Sequence, residues 1–147
     1  MKELFLILST LVLFTACNNS TPANEVKTSE VPISNVIQNR VEVYCFHGTR
    51  QCETCKNMKA NTKTTLDTYF ASQLKDSSVI FKIIDVDDIK NEKIAEKFQA
   101  TGTALMINKV VSGKDSIMDW SDFAFEKANN EAEYITELRT KLQRVLK

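Results

Sequence analysis

Two cysteines separated by two residues, Cys52 and Cys55, are the strongest chemical signal in the sequence. They stand where a helical pattern begins, and side chains three positions apart on a helix face the same side, so the two sulfurs can meet in a disulfide. Unpaired backbone N–H groups and the helix dipole favour negative charge at this end of a helix. We therefore expect the pKa of Cys52 to lie below the free value of about 8.5, which makes Cys52 the attacking thiol and the more buried Cys55 the resolving one.

The loop before the pair supplies residues that can adjust its chemistry. His47 is the only histidine of the chain and can act on Cys52 as a nearby cation or base. Arg50 adds positive charge, and Gln51 directly precedes Cys52. We expect all three to tune the pair or to contact its substrate.

Two other interpretations of these residues remain open. In the first, Cys45, His47, Cys52 and Cys55 form a set of three sulfurs and one nitrogen. Such a set is soft enough for Zn²⁺ or Cu(I) and would make the protein a metal-binding or metal-delivery module. In the second, the pair is a structural disulfide of a non-catalytic binding module. Cys45 alternates with apolar residues along a predicted strand, and this pattern favours a buried thiol over a metal ligand.

The N-terminal part of the chain has the character of an export signal. An apolar run at residues 4–14 is too short for the roughly 30 Å bilayer core but suits a signal peptide. Residues 13–17 resemble a bacterial lipobox, which predicts a signal peptide over residues 1–16 and a lipid on Cys17. The polar segment that follows, with both prolines of the chain, predicts a flexible tether over residues 17–39.

Residues 40–147 are predicted to form one domain in which strands and helices alternate. Strand patterns occur at 41–46, 79–86, 103–110 and 116–120, and helical patterns at 52–74, 91–98 and 131–146. The order β-α-β-α-β-β-α predicts an α/β fold with a central mixed sheet of four to five strands and helices on both faces. The nearly continuous apolar run at 79–86 predicts a strand that is covered on both faces.

This layout resembles the thioredoxin-like superfamily over residues 40–147: strand, loop, C-x-x-C at a helix start, strand, helix, hairpin and closing helix. The resemblance implies a thiol–disulfide oxidoreductase fold with Cys52 and Cys55 as the redox pair. Its redox chemistry is carried by the disulfide itself, so we expect no cofactor. A metal would be needed only under the alternative interpretation.

The sequence departs from that family at two places beside the pair. Gln51 stands where thioredoxins carry a tryptophan. The family places a cis-proline opposite the pair, at the head of the third strand, whereas no proline follows Pro32 in this chain. Thr103 and Ala104 are nearest to that position, and we expect a trans bond there because a cis bond without proline costs roughly 2.5–4 kcal/mol. The resemblance implies that these two residues face bound substrate.

Together these features predict a membrane-tethered thiol–disulfide oxidoreductase outside the cytoplasm. We expect it in a bacterial cell envelope, facing the periplasm or the outside, where disulfides persist. The expected partners are protein thiols and disulfides, an unidentified redox partner, and the membrane through the lipid on Cys17. The 19 basic and 19 acidic residues give a net charge of zero, which argues against nucleic acid as a partner. We expect a monomer.

Overall fold

The computed structural model describes residues 39–147. The predicted signal peptide at residues 1–16, the lipid on Cys17 and the tether as far as residue 38 lie outside the described residues. Within residues 39–147, no helix is both long enough and apolar enough to cross a bilayer.

Four strands form a single mixed sheet with the spatial order β2-β1-β3-β4. The strands are β1 (Arg40–His47), β2 (Val79–Asp85), β3 (Ala104–Val111) and β4 (Lys114–Asp119). β1 runs parallel to β2 and antiparallel to β3, and β4 runs antiparallel to β3. One end of the sheet therefore carries the carboxyl ends of β1 and β2 together with the start of β3.

Five α-helices connect and cover these strands. They are α1 (Glu53–Tyr69), α2 (Ala71–Lys75), α3 (Glu92–Phe98), α4 (Ser121–Lys127) and α5 (Glu131–Val145). A single 3-10 turn, Ile89–Asn91, leads into α3 and is capped by the side chain of Asp88, which accepts a hydrogen bond from Lys90 N at 3.0 Å.

The core is divided between the two faces of the sheet. On one face, Val43 and Ile107 of the sheet are buried against Leu66 of α1 and Leu138 of α5. On the other face, Tyr44 of β1 packs against Phe98 of α3, with ring centroids 4.4 Å apart. The predicted α/β class, the mixed sheet and the helices on both faces are confirmed.

The prediction that the strand at 79–86 is covered on both faces holds in part, since Phe81 packs against the core on one face and Ile84 against the core on the other. β2 lies at the edge of the described sheet, and both Lys82 and Ile83 are exposed. The central strand is β1, whose residues from Val41 to Phe46 are all buried. A continuous apolar run indicates a strand in a parallel pair. It does not determine which strand of that pair lies between two other strands.

The helical segments also differ from the prediction. The single helix expected over residues 52–74 is broken at Phe70, whose backbone leaves the helical region at φ −129° and ψ 22° and whose side chain is buried in the core. A helix that the sequence order did not include, α4, occupies the link between the hairpin and the last helix. It forms because Phe123 and Ala124 are buried against the same core as α1 and α5.

A buried carboxylate, that of Glu42, ties β1 to β3 at the end of the sheet far from the Cys pair. Glu42 accepts hydrogen bonds from Arg40 Nε at 2.7 Å, from Asn108 Nδ2 at 2.9 Å and from the Tyr44 hydroxyl at 3.2 Å. Burial alone would raise the pKa of Glu42, but the hydrogen bonds from Asn108 and Arg40 and the charge of Arg40 hold it below its usual 4.5. The ionised carboxylate is therefore part of the folded structure.

We expect Glu42→Gln to lower the free energy of unfolding by roughly 1–3 kcal/mol at neutral pH, because buried donors lose a charged acceptor. A depressed folded pKa contributes stability above the unfolded pKa and loses it as the pH falls through the folded value. The difference from the unmodified protein should therefore shrink below about pH 4.5. Urea unfolding at neutral and acidic pH measures it, with the exposed Glu96→Gln as control. An equal loss at both pH values would contradict this account.

Candidate redox site

Cys52 is the N-cap of α1. Its backbone is extended, with φ −70° and ψ 168°, and its Sγ accepts a hydrogen bond from the backbone N–H of Cys55 at 3.1 Å. A sulfur in this position satisfies one of the N–H groups that a helix start leaves unpaired, and the helix dipole favours negative charge on it. The local geometry is suited to a thiolate once the cysteine is reduced.

The two cysteines form a disulfide, with their Cα atoms 5.1 Å apart. Cys52 is exposed, whereas Cys55 is buried at 9% exposure. The bond therefore presents one sulfur to solvent and keeps the other beneath the first turn of α1.

The start of α1 is attached to the segment between α4 and α5. Asn57 donates to Asn129 Oδ1 at 3.1 Å, and Asn129 in turn donates to Thr54 Oγ1 at 3.4 Å. One turn further along, the buried Asn61 donates to the carbonyl of Ala128 at 2.9 Å. These amide contacts fix the position of the first two turns of α1, and with them the position of the disulfide.

The loop between β1 and α1 is held from the opposite side by the loop after β2. Asp87 Oδ2 accepts a hydrogen bond from Thr49 N at 2.7 Å, and this bond holds the pKa of Asp87 below its usual range, with the charge of His47 adding to the effect. A Cβ on Gly48 would lie 3.2 Å from the same Asp87 oxygen, so the tight approach of the two loops favours glycine there.

The disulfide lies at the start of α1, shortly after the carboxyl end of β1. It is therefore at the end of the sheet where β1 and β2 finish and β3 begins. The mixed sheet, the helices on both of its faces and the order of the strands along the chain agree with the prediction. The fold is thioredoxin-like.

The residues predicted to tune the pair or to contact its substrate differ in burial and in hydrogen bonding. His47 ends β1, and its Nδ1 donates to the carbonyl of Gly48 at 2.9 Å, since a carbonyl oxygen can only accept. Arg50 is exposed in the loop. Thr103 is half-buried just before β3, and Ala104 is the buried first residue of β3, paired with Phe46 of β1.

The side chain of Gln51 is hydrogen-bonded to a lysine on the second turn of α1. Its Oε1 accepts a hydrogen bond from Lys59 Nζ at 2.8 Å. The residue before the disulfide is therefore linked to a lysine seven positions after Cys52.

Cys45 lies in the interior, on the face of β1 that α1 covers. Its side chain is 2% exposed and it is a free thiol. Burial raises the pKa of Cys45 to about 12, against the opposing effects of a hydrogen bond to Thr62 and of the charge of Lys59. The nearby Thr62 hydroxyl donates to the carbonyl of Met58 and lies 2.7 Å from the hydroxyl of Tyr134 in α5. Cys45 is thus one member of a buried polar group.

The structure does not gather the four residues of the metal alternative. Among residues 39–147, no group of three or more His, Cys, Asp or Glu side chains is arranged to hold a metal ion. The sulfurs of Cys52 and Cys55 are bonded to each other, and Cys45 is enclosed in the core.

Two groups of contacts at the site were not singled out from the sequence. Asp87 contacts Thr49, 38 positions earlier, and nothing in the local sequence indicates this contact. The Thr62–Tyr134 contact joins residues 72 positions apart. The available signal for this contact was the density of threonines in α1, which has four within residues 62–68.

Comparisons with known proteins give limited likenesses. No family model matches the chain, and no curated protein matches it. Three solved structures are similar: a malarial protein (19% identity; 67% of this chain and 97% of that chain), Fasciola hepatica thioredoxin (23%; 69% and 80%) and a Thermus thermophilus thioredoxin (17%; 70% and 74%). Each has a TM-score of 0.40, and at these values no residue role is carried over to this chain.

We expect Cys45 to resist alkylation in the folded protein, because only the thiolate is strongly nucleophilic and the side chain is enclosed. Iodoacetamide labelling at about pH 8, followed by peptide mass mapping, should find Cys45 unmodified until denaturant is added. In the reduced folded protein, Cys52 should be labelled first. Rapid labelling of Cys45 in the native state would show that the core beneath α1 opens readily.

Proposed function

We propose that the protein is a thiol–disulfide oxidoreductase acting on other proteins, with Cys52 as the attacking and Cys55 as the resolving cysteine. The observation that carries this proposal is the asymmetry of the disulfide at the N-cap of α1. An external sulfur can reach the exposed Cys52, while the buried Cys55 is reachable only from Cys52 itself. A disulfide that served only to staple the helix start would not need one sulfur at the surface.

The exchange proceeds through a mixed disulfide in either direction. When the protein reduces a substrate, the Cys52 thiolate attacks one sulfur of the substrate disulfide, and the other substrate sulfur leaves as a thiolate. The Cys55 thiolate then attacks Cys52 Sγ, which restores the Cys52–Cys55 bond and releases the second substrate thiolate. Two electrons pass to the substrate. The reverse sequence oxidises a substrate dithiol.

We assign supporting roles to the loop residues at the same sheet edge. His47, Arg50 and Gln51 precede the pair, and Thr103 and Ala104 lie before and at the start of β3. We propose that they contact the substrate or tune the pair.

We expect the reduced protein to accelerate reduction of insulin by dithiothreitol, measured as turbidity. Cys52→Ser should abolish the acceleration, and Cys55→Ser should instead accumulate a mixed disulfide visible by mass spectrometry. Cys45→Ala is the matched control and should keep the activity. If the unmodified protein gives no acceleration, and its disulfide stays intact in excess dithiothreitol, the pair is a structural staple and the proposal fails.

We also propose that the protein is an exported lipoprotein of a bacterial cell envelope, attached through a lipid on Cys17. The support is the apolar run followed by the lipobox-like residues 13–17. The lipid on Cys17 would hold the folded part near the membrane, in a compartment where protein thiols become oxidised. We propose that the protein is a monomer and that the lipid on Cys17 alone attaches it to the membrane.

We expect the full chain expressed in a bacterium to incorporate radiolabelled palmitate and to sediment with membranes. Cys17→Ser should lose the label, while Cys45→Ser should keep it. Labelling that persists in Cys17→Ser, or a chain found only in the cytosol, would rule out this form of attachment.

A further inference from the structure

Lys59 is hydrogen-bonded to Gln51, the residue that directly precedes the redox pair. It lies four positions after Cys55 and seven after Cys52, so all three project from the same side of α1. Side chains on a helix lean toward its N-terminus, and a lysine on the second turn therefore points back toward the helix start. The hydrogen bond from Lys59 Nζ to Gln51 Oε1, 2.8 Å long, confirms this direction.

The charge of Lys59 is not neutralised by an acid in the described part of the chain. No carboxylate of residues 39–147 lies within ion-pair distance of its Nζ. The other two lysines of α1 differ, since Lys56 pairs with Glu53 and Lys63 pairs with Asp67. Lys59 is also half-buried, whereas Lys56 and Lys63 are exposed. Partial burial reduces screening by water and strengthens its effect on nearby charges.

The field of Lys59 reaches the interior beneath α1. It opposes the rise in the pKa of the buried Cys45 thiol, on the strand directly below the helix. Cys45 and Cys55 lie on the two elements that enclose this region, so a negative charge on either sulfur would be stabilised by the same ammonium.

We infer that Lys59 is the electrostatic partner of the thiolate that forms on Cys55 when the disulfide opens. This inference rests on the proposed function. When a substrate thiolate attacks Cys52 Sγ, a new bond forms between those two sulfurs, the Cys52–Cys55 bond breaks, and its electron pair remains on Cys55 Sγ as a thiolate. Lys59 donates no proton in this step and acts only through its positive charge. The same thiolate is the nucleophile in the reverse step.

This role makes the disulfide easier to reduce than it would be without the lysine. The ammonium stabilises a charge that exists only in the opened or reduced forms, so its removal should favour the oxidised form. The effect should be present where the thiols ionise and should fade at acidic pH, where the reduced cysteines are neutral. A change in packing alone would shift the equilibrium by the same amount at every pH.

The test is the equilibrium between the full chain and a glutathione redox buffer, followed by mass spectrometry of the Cys52–Cys55 peptide after acid quenching. We expect Lys59→Met to shift the equilibrium constant about three-fold toward the disulfide near pH 8, which corresponds to about 14 mV. The shift should be smaller near pH 5, where a larger fraction of the reduced cysteines is protonated. Lys59→Arg, which keeps the charge, should behave like the unmodified protein, and Lys63→Met is the matched control on the same helix.

The outcomes separate this inference from the proposed function. An unchanged potential in Lys59→Met at both pH values, or an equal shift at both, would overturn the inference while glutathione exchange itself continues. A shift in Lys59→Arg as large as that in Lys59→Met would also overturn it, because the charge would then not matter. Failure of the unmodified protein to exchange with glutathione at all would instead count against the proposed function.

Discussion

The position of the first turn of α1 is the constraint on which the rest of the site depends. The chain has only the loop at residues 48–52 in which to pass from the end of β1 to the start of this helix. On one side the loop is held by Asp87, and on the other α1 is fixed through Asn57, Asn61 and Asn129. With both sides fixed, Cys52 becomes the N-cap and Cys55 enters the core. A shift of the helix start by one residue would turn both cysteines by about 100° around the helix axis, and Cys52 would no longer be the N-cap.

The elements near the pair were predictable from local pattern. A β-branched and aromatic strand, a short loop and C-x-x-C before a helical pattern correctly placed β1, α1 and the sheet edge at which the disulfide lies. The hairpin and α5 followed from turn residues and from a periodic apolar stripe in the same way. The sequence carries this information locally because each of these elements buries one regular face.

The remaining features depend on contacts between distant parts of the chain. The edge position of β2 is decided by what pairs with β1, and the helix α4 forms because Phe123 and Ala124 find a core already built by α1 and α5. The contact between Thr62 and Tyr134, like that between Thr49 and Asp87, exists only after the chain has folded. Helix propensity and residue spacing describe only a few neighbouring residues, so they do not predict contacts between distant residues.

The buried thiol of Cys45 also limits which covalent states the folded domain can adopt. Three cysteines within residues 39–147 can pair in three ways, and two of these ways would use Cys45. Its enclosure and its raised pKa withhold it from exchange, so under the proposed function the neighbouring pair would open and close without forming a wrong bond to Cys45. The fold thereby separates cysteines that the sequence places only seven and ten positions apart. Burial of Cys45 therefore restricts disulfide formation within residues 39–147 to the Cys52–Cys55 pair.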